Sequence, residues 1–242
     1  MNAGIGFGAT INGLHTYKDF GLVIGNTDVV GSPAVKTTII DVPGSSNRID
    51  LTEALTGKPE YESRTLKMEL GCLHPISEWA NRFSEFMNTY HGKKVQVILD
   101  SEPDYCYEGR AEVSGLSRNR TLGTFTLTID CDAYKHDISD SLGNWLWDSF
   151  NFETGEIRDY SAIEVSGSKN MLIHGSKMPV VPVFHVSELS ASATNYIRFN
   201  SVRYNIVSGR NRFAGLVIPV EGGRVYFYGT YKVDIEFRGG SL

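Results

Sequence analysis

Histidines and cysteines are the residues of this 242-residue chain best suited to metal binding or nucleophilic catalysis. The six histidines are His15, His74, His91, His136, His174 and His185. No two are spaced at i+2 or i+4, the spacing that places two imidazoles on one face of a strand or helix, so no local metal site is indicated. The three cysteines are Cys72, Cys106 and Cys131. Their odd number and the lack of a C-x-x-C pair indicate neither a zinc site nor a disulfide framework.

Carboxylates and glycines give no stronger sign of catalysis. Glu108 and Glu112 in "DYCYEGRAE" would share one face of a strand, and glycosidases need two facing carboxylates, but such pairs are common on solvated faces. The glycine-rich "GIGFG" at 4–8 follows no strand and opens no helix, as a phosphate-binding loop must. There is no Walker lysine motif and no G-x-S-x-G elbow. The sequence predicts no catalytic, cofactor-binding or metal-binding residues, and hence no enzyme.

Aromatic residues offer a different kind of chemistry in "NWLWDSFNFETGE". Exposed Trp145 and Trp147 could stack on sugar rings, which would make the protein a carbohydrate-binding β-sandwich that recognises host glycans. The simpler interpretation is that these aromatics fill a small sandwich core, as aromatics usually do. The sequence favours core packing and leaves carbohydrate binding as the alternative function.

Charge and hydropathy exclude two classes of partner. The net charge of −5 gives no overall attraction for nucleic acid or anionic lipid, and Arg118 and Arg120 in a hairpin turn are the nearest approach to a basic patch. No apolar stretch approaches the roughly 20 residues of a membrane span, and we identify no signal peptide. Reduced cysteines suit synthesis in the cytoplasm.

The elements that must position these residues are mostly β-strands. Apolar residues at steps of three and four in "PISEWANRFSEFMNTYHGKK" predict one long helix at about 77–91, capped by Ser77 and followed by Gly92. Most of the remainder alternates with period two, and the second half is a run of short strands with Gly and Asn turns, typical of an antiparallel sandwich. We predict a mainly β protein. Its N-terminal β domain, residues 1–138, carries the packed α-helix, and residues 139–242 form the C-terminal β-sandwich.

The order of features resembles the distal tail protein (Dit) family of long, non-contractile-tailed bacteriophages and prophages. The resemblance rests on "ATING", "FGLVIGNTDVV" and "VPGSSNRIDLTE", then "YESRTLKMEL", one helix, "KKVQVILD", a hairpin and "CDAYKHD". It ends in an all-β part from "WLWDSFNFETG" to "VDIEFRGGSL". It covers the whole chain.

The resemblance implies a structural virion protein that is made in the host bacterial cytoplasm and located at the phage tail tip. Members form a hexameric ring, the hub at the distal end of the tail tube, and their C-terminal domain is a galectin-like, carbohydrate-module-like β-sandwich. The implied partners are other copies of the chain, the tail tube protein, the tail-tip or tail-associated lysin protein and a receptor-binding protein. In some members the last strand, here about 230–242, returns to the N-terminal domain.

One polar excursion, between Val42 and Glu60, is unusually long for a compact domain. Loops of more than about 12–15 residues are uncommon unless they are functional or disordered. Ile49, Leu51 and Leu55 are too apolar for plain disorder. We therefore predict an inter-subunit arm whose apolar residues bury against a neighbouring subunit.

Overall fold

The structure, a computed structural model, describes residues 8–25, 29–54, 56–118, 122–138, 160–191 and 195–242. The chain divides into two compact units, one from Met1 to Lys135 with Leu242 and the other from His136 to Ser241. Strands dominate both, which confirms the predicted mainly β fold. No helix in the described ranges is long and apolar enough to cross a membrane.

The first unit consists of short N-terminal strands, a ribbon of paired strands and four longer strands. Its strands are β1 (Ala9–Ile11), β2 (Leu14–His15), β3 (Leu22–Ile24), β4 (Val29–Val30), β5 (Val35–Lys36), β6 (Ile39–Asp41), β7 (Arg48–Asp50), β8 (Glu60–Tyr61), β9 (Arg64–Cys72), β10 (Lys94–Leu99), β11 (Tyr105–Arg118) and β12 (Gly123–Cys131). Its helices are α1 (Thr16–Phe20), a 3-10 turn (Ile76–Glu78) and α2 (Trp79–Tyr90).

The main sheet of this unit is antiparallel, in the order β2-β1-β10-β11-β12-β9-β3, and β4 also pairs with β9. The β9–β12 pair is continuous from Arg64↔Cys131 to Cys72↔Gly123. Alternation along both strands turns one set of apolar side chains to the same face. These side chains are fully buried and form the centre of the core, with Leu66, Met68, Leu70, Phe125, Leu127, Ile129 and Cys131 as its main members.

Helix α2 covers this core, as its apolar spacing predicts, but its first turn differs from the prediction. Trp79, Phe86 and Tyr90 are buried, whereas the predicted stripe residues Ile76 and Ala80 are exposed. Residues 76–78 form the 3-10 turn, and the α-helix begins only at Trp79 after Glu78, without any side-chain cap. The predicted capping role of Ser77 is therefore wrong.

The short helix α1 was not predicted from the sequence. His15 caps its start, because the Nδ1 atom accepts hydrogen bonds from the backbone N–H groups of Tyr17 and Lys18 at 3.1 and 3.2 Å. Gly21 ends it with φ +63°, a left-handed conformation that favours glycine. Phe20 then packs on Phe86 and Tyr90 of α2, with ring centroids 5.3 and 5.8 Å away.

The second unit is built on one six-stranded antiparallel sheet. Its strands are β14 (Ile163–Ile173), β15 (Val183–Ser187), β16 (Tyr196–Phe199), β17 (Val202–Asn205), β18 (Gly209–Arg212) and β19 (Gly223–Glu236). The order is β17-β16-β19-β15-β18, with β14 on the other side of β19. Two short strands, β13 (Lys135–Asp137) and β20 (Gly240–Ser241), pair with each other.

The long strand β19 organises this second core. Tyr231, Val233, Ile235 and Phe237 are all buried, as their predicted alternation requires. Residues 139–159 lie outside the described part of the chain. The domain limits 1–138 and 139–242 remain a prediction. So does the return of residues 230–242 to the first domain.

Candidate functional site: a β-hairpin arm

The segment between β4 and β9 leaves the main sheet as a two-stranded antiparallel ribbon, which we call the arm (residues 32–63). At its base the N–H of Gly31 donates to the carbonyl of Thr65 at 2.8 Å. The β5–β8 pair follows, and the β6–β7 pair lies farther out. The polar excursion predicted between Val42 and Glu60 thus corresponds to the tip and the returning strand of a longer hairpin that already begins before β5.

The tip of the arm is a tight turn that its sequence encodes. The N–H of Ser45 donates to the carbonyl of Val42 at 3.0 Å. Pro43 and Gly44 occupy the two central positions, and Gly44 has φ +79°. Proline followed by a glycine with positive φ is the signature of a type II turn. The turn, followed by residues 46 and 47, connects β6 to β7, in which Asp41 lies opposite Arg48.

The second strand of the arm is interrupted between its two paired segments, β7 and β8. Asp50 anchors the interruption, because its Oδ1 accepts the N–H of Thr52 at 2.9 Å. Hydrogen bonds from the Thr52 side chain and then from its backbone lower the pKa of the Asp50 carboxyl. Thr52 Oγ1 in turn accepts the N–H of Thr38 at 3.1 Å from the opposite strand. The arm is thus held in register by local polar contacts.

The outer half of the arm has two chemically different faces. Ile40 lies directly opposite Ile49, and Leu51, two residues along, lies on the same face. The opposite face carries Asp41 and Arg48, whose Oδ1 and Nε atoms lie 3.0 Å apart. Both charged side chains are more than 70% exposed, so this ion pair contributes little stability. An amphipathic ribbon of this kind has one face suited to burial.

Nothing in the described residues buries that apolar face. Ile40 and Ile49 are each 48% exposed and Leu51 is 37% exposed. Val35 and Ile39 elsewhere on the arm are 46% and 50% exposed. A two-stranded hairpin is marginally stable in water by itself, and clustered exposed apolar side chains mark interaction sites. The arm therefore has the chemistry of an interface element, not of a catalytic loop.

The structure places two of the three predicted arm residues, Ile49 and Leu51, on this one apolar face. Leu55 lies outside the described residues. Sequence reasoning missed Ile40, because the predicted excursion began only at Val42. The available signal was the symmetric placement of Ile40 and Ile49 about the loop 42–47. That these residues contact a neighbouring subunit stays a prediction.

The carboxylates and histidines considered for catalysis do not come together into a site. Glu108 and Glu112 share the outer face of β11, and Glu108 accepts a hydrogen bond from Gln96 at 2.9 Å and lies 3.4 Å from Lys94. In the described part of the chain, no three His, Cys, Asp or Glu side chains form a group that could hold a metal ion. Trp145, Trp147 and residues 4–7 lie outside the described residues, so the carbohydrate alternative stays untested.

The most perturbed titratable cluster of the first unit is structural in its geometry. Tyr107 Oη donates to Glu102 Oε2 at 2.7 Å, and Lys135 Nζ lies 3.0 Å from the same oxygen. Burial alone would raise the pKa of Glu102, but these two hydrogen bonds together with the nearby charges of Lys135 and Arg64 hold it below its usual value. Burial raises the pKa of Tyr107. Both contacts converge on one oxygen of the Glu102 carboxylate, which suits a fixed anchor.

The three cysteines form no disulfide, and all of them are buried. Cys131 donates weakly to the carbonyl of Ile129, with 3.6 Å between sulfur and oxygen. Burial, followed by the charge of Asp130, raises the pKa of the Cys131 thiol to about 12. It is a core hydrophobe and not a reactive thiol.

Comparison with known proteins gives a match among solved structures. No family model matches the sequence, and no curated protein does. Among solved structures, the chain is similar to the crystal structure of the SPP1 Dit protein (gp 19.1), described as a paradigm of the hub adsorption apparatus in phages that infect Gram-positive bacteria. The TM-score is 0.53 at 14% sequence identity, and the alignment covers 98% of this chain and 99% of that one. The predicted resemblance to the Dit family is therefore confirmed at the level of the fold, over the whole length of the chain.

Proposed function

We propose that this protein is a structural component of a bacteriophage tail, the hub at the distal end of the tail tube. The single observation that carries the proposal is the fold, which matches a phage hub protein from end to end. Because the match extends over nearly the full length of both chains, it includes both units in the same order. A similarity confined to a single β-sandwich, which many unrelated proteins share, would carry much less weight.

The amphipathic arm supports the assembly part of this proposal. A ring built from head-to-tail contacts needs two different, complementary surfaces on each subunit. The apolar face of the arm supplies one. A candidate for the other lies where β9 leads into α2, since Leu73 and Ile76 are 56% and 64% exposed there. In the proposed assembly, six copies close a ring in which each arm packs on its neighbour.

The proposed hub joins the tail tube protein on one side and the tail-tip or tail-associated lysin protein, with a receptor-binding protein, on the other. Its location is the tip of the tail in the virion, after synthesis in the host cytoplasm. A role in assembly demands extensive surfaces and no reaction centre.

Oligomer mass and shape test the proposal directly. Native mass spectrometry and negative-stain microscopy of the full chain should show a hexamer and a ring. Deletion of residues 45–58 should leave a folded protein that forms no ring, because it removes the tip of the arm and β7. A strict monomer of the intact chain at high concentration contradicts the ring, and normal assembly of the deletion variant contradicts the role of the arm.

A further inference from the structure

One half of the sheet in the second unit carries an unusual concentration of arginine and tyrosine on its outer face. On paired segments of β14, β16, β17 and β19, the outward-facing positions within 168–172, 196–198, 203–205 and 224–228 hold no aspartate or glutamate. We call their basic and aromatic members the arginine–tyrosine surface. They are Tyr196, Arg198, Arg203, Arg224, Tyr226 and Tyr228.

The tyrosines and arginines of this surface form a stacked ladder. The Tyr196 and Tyr228 rings are stacked, with centroids 4.6 Å apart and planes 15° apart. Arg203 lies over the Tyr196 ring, with its guanidinium carbon 4.1 Å from the centroid. Arg198 lies 5.1 and 5.4 Å from the centroids of Tyr226 and Tyr228. Ring contacts of this kind hold a guanidinium in place without using its N–H donors.

The three arginines have no acidic partner in the described part of the chain. Arg203 donates to the side-chain oxygen of Asn205 at 3.1 Å, and Arg224 donates to that of Asn170 at 2.7 Å. Both acceptors are neutral amides. All three arginines are exposed. In a protein of net charge −5, this surface is a local concentration of uncompensated positive charge.

The other half of the same sheet is arranged differently. There Lys232 Nζ lies 2.8 Å from Glu188 and His185 Nε2 lies 2.9 Å from Glu236, whereas Arg210 and Arg212 of β18 are exposed and form no ion pair among the described residues. The arginine–tyrosine surface differs in that its arginines are held against tyrosine rings and have no carboxylate among the outward-facing residues around them.

We propose that the arginine–tyrosine surface binds an acidic segment of a partner protein through its aspartate or glutamate carboxylates. A guanidinium presents N–H donors in a fork that matches a carboxylate, and a planar group already stacked on a ring loses less freedom on binding. The proposal does not depend on the hub function, because it rests on this surface alone.

The stacking geometry favours carboxylates over sugar rings as the ligand. A sugar stacks on an open aromatic face, but one face of the Tyr196 ring is covered by Tyr228 and a guanidinium lies over the ring. The same guanidiniums keep N–H donors available. A surface rich in charged donors with its ring faces occupied suits anions.

Fluorescence anisotropy with a labelled hexaglutamate peptide tests the proposal on the full-length protein, with hexaglutamine as the neutral control peptide. We expect binding of hexaglutamate only, weakening as the NaCl concentration rises. Arg198→Ala/Arg203→Ala should weaken it by about tenfold or more. Arg210→Ala/Arg212→Ala is the matched control, since it removes two exposed arginines from β18 on the half of the sheet where carboxylates face basic groups, and should change the affinity little.

A variant that leaves the net charge unchanged distinguishes binding at the arginine–tyrosine surface from nonspecific electrostatic attraction of the peptide. Tyr196→Leu removes the ring beneath Arg203 without changing the charge, so it should weaken hexaglutamate binding by a variant that circular dichroism shows to be folded. Equal losses in the two arginine double variants, or no hexaglutamate binding by the wild type, overturn the proposal. Binding of a sulfated oligosaccharide without binding of hexaglutamate overturns it in favour of an anionic glycan.

Discussion

The apolar face of the arm gives the sharpest prediction for assembly. We choose Ile40→Thr/Ile49→Thr, because threonine keeps the β-branched shape that suits a strand while replacing part of the apolar surface with a hydroxyl. The two isoleucines lie opposite each other and are 48% exposed in the single chain. The double variant should fold normally and assemble poorly.

The magnitude follows from the surface that remains to be buried. Full burial of an isoleucine side chain contributes roughly 1.5–3 kcal/mol, and about half of each side chain is still exposed in the free chain. The pair can therefore contribute about 1.5–3 kcal/mol to each subunit contact, equivalent to roughly 10- to 150-fold in its dissociation constant. Because threonine retains one methyl group, the measured loss should lie in the lower part of this range.

The assay is sedimentation velocity over a dilution series, with circular dichroism to confirm folding. The matched control is Asp41→Thr/Arg48→Thr on the opposite face of the same ribbon, which removes one charge of each sign. The reasoning is refuted if the isoleucine variant assembles at the same concentration as the wild type. It is also refuted if the control variant loses as much, since the faces would then be equivalent.

Three further predictions concern the first unit. Gly109→Ala should lower the free energy of unfolding, measured in urea, by about 1–3 kcal/mol, because the new Cβ would overlap the carbonyl of Asp130. Ser114→Ala on the same strand is the control and should leave that free energy nearly unchanged. His15→Ala should lower the free energy of unfolding by about 0.5–2 kcal/mol, because it removes the cap of α1. Asparagine can also cap a helix, so His15→Asn should lose less stability than His15→Ala. An asparagine variant that is as unstable as the alanine variant would contradict the capping role. At alkaline pH, a buried thiol whose pKa is raised from 9.0 to about 12 keeps its proton in the folded state after the unfolded chain has lost it. The contribution of the Cys131 thiol to the free energy of unfolding should therefore be complete below pH 9 and be lost as the pH rises towards 12. A thiol-reactive reagent at pH 8 should label no cysteine before the protein unfolds, and rapid labelling of the native protein would refute this.

Periodicity predicted the elements whose burial pattern is long and regular. The alternation in β9, β12 and β19 identified the buried faces correctly, and the helical spacing located α2 to within a few residues. The first turn of α2 was wrong because Ile76 fits the apolar period but the chain forms a 3-10 turn there. Helix α1 has five residues, too few for a period to show, and depends on His15 and on Gly21.

The candidate arm was only partly visible in the sequence for a similar reason. Ile49 and Leu51 marked the excursion as too apolar for disorder. That Ile40 faces Ile49 depends on the register of β6 and β7 across the loop 42–47, which local composition does not reveal. The arginine–tyrosine surface was missed entirely, because strand pairing brings together side chains from separate segments, 170, 196–205 and 224–228.

The two proposed surfaces should respond to salt in opposite ways, because different forces act in them. The arm buries apolar side chains, and a strongly hydrated salt such as sulfate strengthens effective apolar burial. The arginine–tyrosine surface attracts carboxylates across solvent, and the Debye length shrinks from about 10 Å at 0.1 M salt to about 3 Å at 1 M. Ring assembly should therefore persist or strengthen in sodium sulfate while hexaglutamate binding disappears. If the ring instead dissociates as ionic strength rises, charges such as Asp41 and Arg48 hold the subunits together, and the assignment of the apolar face to the subunit contact is wrong.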